Sequence, residues 1–231
     1  MWDAFHYCEV LAGRFSASEC ERIIGLSQGQ TALRSVMPGR NASPIRDSDL
    51  FWIPRTAKTD WIFERVREVV TQYNVRHGFT LSDDLGQLQL TRYAEEQLYN
   101  WHMDLGPGAM SRRKITVVVE LAAKGYDGGG TEVFYGDGAN NRIALSQGDA
   151  LIFPSFIMHR ALPVHSGTRW TLVWLADRSR ATEITGHDWA ISSKRSNSPG
   201  TFSASRAAAM YGSQSVTFPR TTLVTRHHAL R

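Results

Sequence analysis

From Gln87 to Ala176 the chain reads as a series of short extended runs broken by turn signals about every 8–12 residues. The strongest run is Ile115-Thr116-Val117-Val118-Val119-Glu120-Leu121, nearly continuous in β-branched residues and fit for a buried strand. Before it come Gln87–Tyr93 and the stretch around Trp101-His102-Met103-Asp104. After it come Thr131–Tyr135, an expected hairpin of Ile143–Leu145 and Ala150–Phe153 across Gln147-Gly148-Asp149, and the apolar run Trp170–Leu175. Many short strands with regular turns predict a mainly β fold, a jelly roll or barrel.

The N-terminal part reads differently. Residues 5–12 suit a strand, and Ser16-Ala17-Ser18-Glu19 suits a helix start, with a short helix expected near 17–28. Thr31–Met37 suits a strand, followed by the polar loop Pro38–Pro44, and Leu50–Ile53 suits a short extended segment. A second helix is expected near 59–76, where Trp61, Ile62, Val66, Val69, Val70 and Tyr73 make an apolar stripe ended by Gly78. That stripe fits a helix covering one face of a sheet.

In an extended tetrapeptide, His102 and Asp104 project to one side, because side chains two apart share a face. A third ligand, with His159 of Phe153-Pro154-Ser155-Phe156-Ile157-Met158-His159 as the candidate, would complete a two-His, one-carboxylate set. Such a set suits non-haem Fe(II) and leaves coordination positions open. His165 is the rival third ligand, six residues further on and before the turn Ser166-Gly167. Ten residues after His159 stands Arg169, at the head of an apolar strand.

Composition excludes several classes. No run approaches the roughly 20 apolar residues of a membrane-spanning helix, and the N-terminus has no signal-peptide pattern. Cys8 and Cys20 make neither a disulfide framework nor a CxxC site, so a cytoplasmic protein is expected. The net charge of +4 belongs to the C-terminal end. Six of the 26 basic residues follow Asp188 and no acidic residue does, leaving 20 basic against 22 acidic side chains elsewhere. Nucleic acid is therefore not the expected partner of the main body. Residues 190–231, rich in Ser, Ala and Thr, read as a basic tail, with Ser203–Met210 as a short helix and Val216–Phe218 as a short strand if it is ordered.

Taken in order, these pieces resemble the Fe(II)/2-oxoglutarate dioxygenases of the prolyl 4-hydroxylase-like type, including the PKHD-type hydroxylases. The resemblance runs from Gln87 to Ala176. It rests on a Tyr93-bearing strand, the H-x-D pair at 102–104, the Tyr126-Asp127-Gly128-Gly129 turn and Gln147-Gly148-Asp149. Phe153-Pro154-Ser155 before His159, and Arg169, complete it. It implies a double-stranded β-helix (jelly-roll, cupin-like) barrel of about residues 87–176 with helical support from 1–86, the domain extending to 189. It implies Fe(II) held by His102, Asp104 and His159, and 2-oxoglutarate anchored by Arg169. Thr171 and either Tyr93 or Tyr99 are implied as further cosubstrate contacts, with Lys114 and Thr116 as weaker candidates.

The implied reaction is hydroxylation by O₂, releasing succinate and CO₂, with ascorbate as a stimulant. The substrate would be an amino-acid, peptidyl or other small-metabolite group, met by Arg46, Trp52 and Trp101 around the barrel mouth; Arg46-Asp47-Ser48-Asp49 is expected as a loop. Two alternatives stand: a nucleic-acid or protein demethylase of the same superfamily, and a non-catalytic cupin-like sensor of iron and 2-oxoglutarate. The nucleic-acid enzymes carry a second arginine six residues after the anchoring one, where this chain has Leu175. The sequence is silent on oligomeric state.

Overall fold

The β-branched run becomes the middle of a curled sheet in the computed structural model of the protein. The structure describes residues 7–37, 44–84, 86–123, 125–134 and 140–178. Their elements are β1 (Glu9–Leu11), α1 (Ala17–Gly25), β2 (Leu33–Met37), β3 (Arg46–Ile53) and α2 (Asp60–His77), then β4 (Leu88–Tyr93) and β5 (Leu98–His102). A 3₁₀ turn at Gly108–Arg112 leads into β6 (Arg113–Glu120), β7 (Asp127–Gly128) and β8 (Thr131–Phe134). The last are β9 (Asn140–Ile143), β10 (Ala150–Pro154), β11 (His159–Ala161), β12 (Val164–Ser166) and β13 (Arg169–Asp177). The chain divides into two units, Met1–Ala181 and Thr182–Arg231. The second lies outside the described residues, as do the expected tail and its helix and strand.

Strand order is β1-β10-β6-β13-β4-β3-β5-β11-β8-β9, with β2 on the free side of β3 and a separate β12-β7 pair. Adjacent strands pair antiparallel throughout this path. The order is that of a sheet folded over on itself, a double-stranded β-helix, as the strand pattern predicts.

Alternation along the strands sorts the side chains onto two faces. On β13, Leu172, Trp174 and Ala176 join the large apolar core, while Arg169, Thr171, Val173, Leu175 and Asp177 line a cavity. On β6, Ile115, Val117 and Val119 are core and Thr116 and Val118 face the cavity. The core is closed by the helices. α2 buries Ile62, Phe63, Val66, Val69, Val70 and Tyr73 and stops at Gly78, whose φ of 67° is the left-handed conformation that glycine adopts freely. α1 begins with a capping box: Ser16 Oγ accepts from the Glu19 amide, and the Glu19 carboxylate accepts from the Ser16 amide.

The structure departs from the sequence reading in two places here. β3 extends back to Arg46, so Arg46-Asp47-Ser48-Asp49 is strand rather than loop, held by β2, β4 and β5. Ile143 and Ala150–Phe153 form no hairpin: β9 pairs with β8, whereas β10 pairs with β6 and β1. The intervening turn is tied to other parts of the chain. Gly148 N donates to Glu120 O, Phe15 N donates to Gly148 O, and Asp149 Oδ2 accepts from Ser146 N. A Cβ at Gly148 would stand 1.9 Å from Phe15 O, so this crossover needs glycine. It carries the chain from one side of the barrel to the other.

Candidate metal centre and cosubstrate pocket

His102 ends β5 and His159 opens β11, and the two residues are register partners across that pair. Their rings lie 4.1 Å apart. Each Nδ1 faces a main-chain oxygen, Asn100 O for His102 (2.7 Å) and Ile157 O for His159 (3.0 Å). A carbonyl only accepts, so each Nδ1 carries a proton, and the lone pair of the neutral ring is then on Nε2. Burial, and after it the facing His159, pushes the His102 pKa well below the ordinary imidazole value, favouring the neutral, ligating form.

Asp104 lies two residues beyond the end of β5, in a bend rather than in the expected extended tetrapeptide. The bend is fixed by the amides of Asp104 and Leu105, which both donate to Ser155 O at 3.0 Å. Thr116 Oγ1 donates to Asp104 Oδ2 at 2.7 Å and itself accepts from Ser155 Oγ at 3.0 Å. Asp104 Oδ1 stands 3.8 Å from His102 Nε2, and Oδ2 stands 3.5 Å from His159 Nε2. The donor atoms of the three residues lie within 4.8 Å of one another, the one such cluster among the described residues. Two imidazole nitrogens and a carboxylate, gathered on one side of an open cavity and braced from behind by hydrogen bonds, suit a divalent iron. His165, the rival ligand, is exposed on the other strand pair and faces Asp127 at 3.6 Å.

The cavity has a volume of about 670 Å³ and reaches from this cluster to Arg169 at the start of β13. Arg169 is 1% exposed. Its Nε donates to Glu120 Oε2 at 2.8 Å, Nη2 donates to Thr131 Oγ1 at 3.1 Å, and Nη1 approaches Gly130 O at 3.4 Å. The Tyr126-Asp127-Gly128-Gly129 turn packs against it: a Cβ on Gly129 (φ 55°) would meet Tyr126 and Arg169 Cδ at 3.0 and 3.1 Å. Thr171 lines the cavity two residues along the same face.

Both candidate tyrosines line the cavity at different points. Tyr93 is the register partner of Arg169, with the guanidinium 5.9 Å from its ring. Tyr99 stacks flat on the His102 ring at 3.4 Å, and the Arg46 guanidinium sits 4.5 Å from the same tyrosine ring. Arg46 Nε donates to Ser48 Oγ, and Arg46 and Trp52 both line the cavity. Asp47 and Asp49 do not: they pair with Arg34, and Asp49 also with Arg92.

Trp101 and Lys114 are not among the lining residues either. Trp101 instead has the Arg160 guanidinium 4.6 Å from its ring and meets Phe134 edge-on. Sequence reasoning missed Glu120, Thr131 and Ser155. The signal for Glu120 was present, a lone carboxylate at the end of an apolar strand, on the same face as Thr116.

The 2OG-Fe(II) oxygenase superfamily model matches residues 88–175, the span that supplies all three clustered residues and Arg169. A protein of Acanthamoeba polyphaga mimivirus that carries the provisional name prolyl 4-hydroxylase is 25% identical over 198 residues, 76% of each chain. A PKHD-type hydroxylase of Synechococcus sp. (strain CC9311) is 30% identical over 118 residues, 49% of this chain and 52% of that one. The chain thus spans about half the length of that second relative.

Among solved structures, a Pseudomonas putida prolyl-4-hydroxylase shares the fold with a TM-score of 0.63 at 20% identity, covering 77% of this chain and 95% of that one. The viral collagen prolyl hydroxylase of Paramecium Bursaria Chlorella virus-1, solved as a 2OG complex, gives 0.55 at 20% identity, covering 75% and 97%. The family match and the hydroxylase relatives support an enzyme of the oxygenase class.

Proposed function

We propose that the chain is an Fe(II)- and 2-oxoglutarate-dependent hydroxylase acting on an amino-acid, peptidyl or other small-metabolite group. The observation that carries this reading is the convergence of His102, Asp104 and His159 with the buried Arg169 in one cavity. His102 and His159 would hold the iron through Nε2 and Asp104 through its carboxylate. When bound, iron and cosubstrate supply the oxidising chemistry, with 2-oxoglutarate leaving as succinate and CO₂.

The chain's own residues orient and shield. Thr116 and Ser155 fix the Asp104 carboxylate, and the two main-chain carbonyls fix the imidazole tautomers. The Arg169 guanidinium offers a planar fork to the distal carboxylate of the cosubstrate, with Thr171 and Tyr93 beside it. Val118, Val173 and Leu175 give the cavity an apolar wall that excludes water. Arg46 and Trp52, at the same cavity, are the groups we assign to the substrate.

In this reading the domain extends from residue 1 to 189, with 190–231 as an appended tail. Cys8 and Cys20 form no disulfide with each other, which favours a cytoplasmic setting. No helix among the described residues is long and apolar enough to cross a membrane.

The test is succinate release from 2-oxoglutarate, Fe(II) and O₂, with and without ascorbate, in the presence of pools of amino acids, peptides or RNA. Stimulation by amino acids or peptides is the expected result. Stimulation by RNA alone would replace hydroxylation of small or peptidyl groups with the demethylase reading. Binding of iron and 2-oxoglutarate without turnover in any pool would favour a sensor.

A further inference from the structure

Glu120 closes an otherwise apolar strand and is 2% exposed. Its Oε2 accepts from Arg169 Nε and Oε1 has no partner at full hydrogen-bond geometry, with the Tyr126 hydroxyl and the Ala122 amide as further donors beside the carboxylate. The remaining hydrogen bonds of Arg169 go to neutral oxygens, those of Gly130 and Thr131. The charged or titratable groups facing Glu120 are Arg169 from β13, Tyr93 from β4, Tyr126 from the turn after β6 and Cys20 from α1. Arg142, the nearest further cation at that turn, is bonded to the carbonyls of Gly128 and Gly129. One buried guanidinium therefore faces one buried carboxylate, and the pair is neutral.

Seating a second carboxylate on the same guanidinium changes this balance. Two carboxylates that share one cation in a dry site cannot both stay ionised without a large penalty, and one of them takes up a proton. A distal carboxylate gripped by the Nη groups would have both oxygens engaged, whereas Glu120 has one without a partner at full hydrogen-bond geometry. We propose that Glu120 is the positioning residue of the cosubstrate pocket. It holds Arg169 by Nε, leaves the Nη groups for the distal carboxylate of 2-oxoglutarate, and takes a proton from solvent onto Oε1 as that carboxylate binds. The inference rests on the reading of Arg169 as the cosubstrate anchor. Burial already pushes the Glu120 carboxyl above its ordinary value despite the neighbouring Arg169.

Proton uptake on binding means that affinity falls as pH rises. The test is calorimetric titration of 2-oxoglutarate into the full chain loaded with Mn(II), from about pH 6 to about pH 9, in buffers of different ionisation enthalpy. Wild type should take up a large part of one proton within that range, its Kd there rising by up to roughly tenfold per pH unit. Glu120→Gln should show no uptake and a flat Kd, and should bind more tightly than wild type at the alkaline end.

Should Glu120→Gln fail to fold, infrared difference spectra of wild type keep the test decisive. With ¹³C-labelled 2-oxoglutarate separating its own bands, binding should produce a protonated-carboxyl band from the protein. Binding that depends on Arg169 but takes up no proton, or uptake that persists in Glu120→Gln, would overturn the inference alone. Equal binding by wild type and Arg169→Met would remove the anchor and overturn both readings.

Discussion

The two faces of β13 are built from alternate residues of one strand and obey different rules. Leu172, Trp174 and Ala176 meet the helix-backed core, where what matters is volume and the absence of polar groups. Arg169, Thr171, Val173, Leu175 and Asp177 face the cavity, where a buried cation and a hydroxyl are retained among apolar side chains. β6 repeats the division, with Val117 and Val119 on one side and Thr116 and Glu120 on the other. The difference teaches that fold and chemistry are separable here by the parity of the residue number. The helix-backed face holds the strand in place, and the cavity face uses that rigidity to keep polar groups where water cannot replace them.

The comparison breaks most visibly at adjacent residues. Leu172→Ala, fully on the core side, should cost about 2–5 kcal/mol in denaturant unfolding. Val173→Ala, half-buried on the cavity side, should cost less than about 1.5 kcal/mol. Equal losses would show that the cavity wall is part of the core.

Next in size is Thr116→Val, which keeps the shape of the side chain but removes the hydrogen bond to Asp104 Oδ2. Metal affinity should fall by about 10–100-fold, the usual effect of losing an outer-shell partner. Titration with Mn(II) would measure it, and unchanged affinity would mean that this hydrogen bond does not orient the ligand.

The smallest effect concerns pH. His102 has its pKa lowered from 6.5 by burial and by His159. Between pH 6.5 and about pH 3 the unfolded chain therefore binds a proton that the folded, metal-free chain does not, and stability is lost as the pH is lowered. The contribution is roughly 1.4 kcal/mol per pH unit in that window. Unfolding of metal-free wild type and His102→Asn should differ by that slope; parallel pH profiles would contradict it.

The main outline of the site was legible because spacing carries it. His102 and Asp104 stand two apart, His159 follows a proline-marked strand end, and Arg169 heads an apolar run. The false hairpin between Ile143 and Ala150 arose because a Gln-Gly-Asp turn looks local in sequence. In the structure that turn is bonded to Glu120 and Phe15, partners that no short window contains. Arg46 was mistaken for a loop residue because β3 is rich in Asp and Ser: Asp47 and Asp49 pair with Arg34, Asp49 also with Arg92, and Ser48 accepts from Arg46 itself. For Glu120 the residue stood out but its partner did not, because Arg169 lies 49 residues away.

The central claim is that His102, Asp104 and His159 form one metal site in the cavity that Arg169 closes. The most direct measurement is anaerobic calorimetry of Fe(II) binding to wild type and Asp104→Ala, with thermal unfolding of both metal-free proteins alongside. The account predicts a single Fe(II) per wild-type chain, loss of that binding in the variant, and closely similar unfolding of the two. Wild-type affinity retained in Asp104→Ala would contradict it.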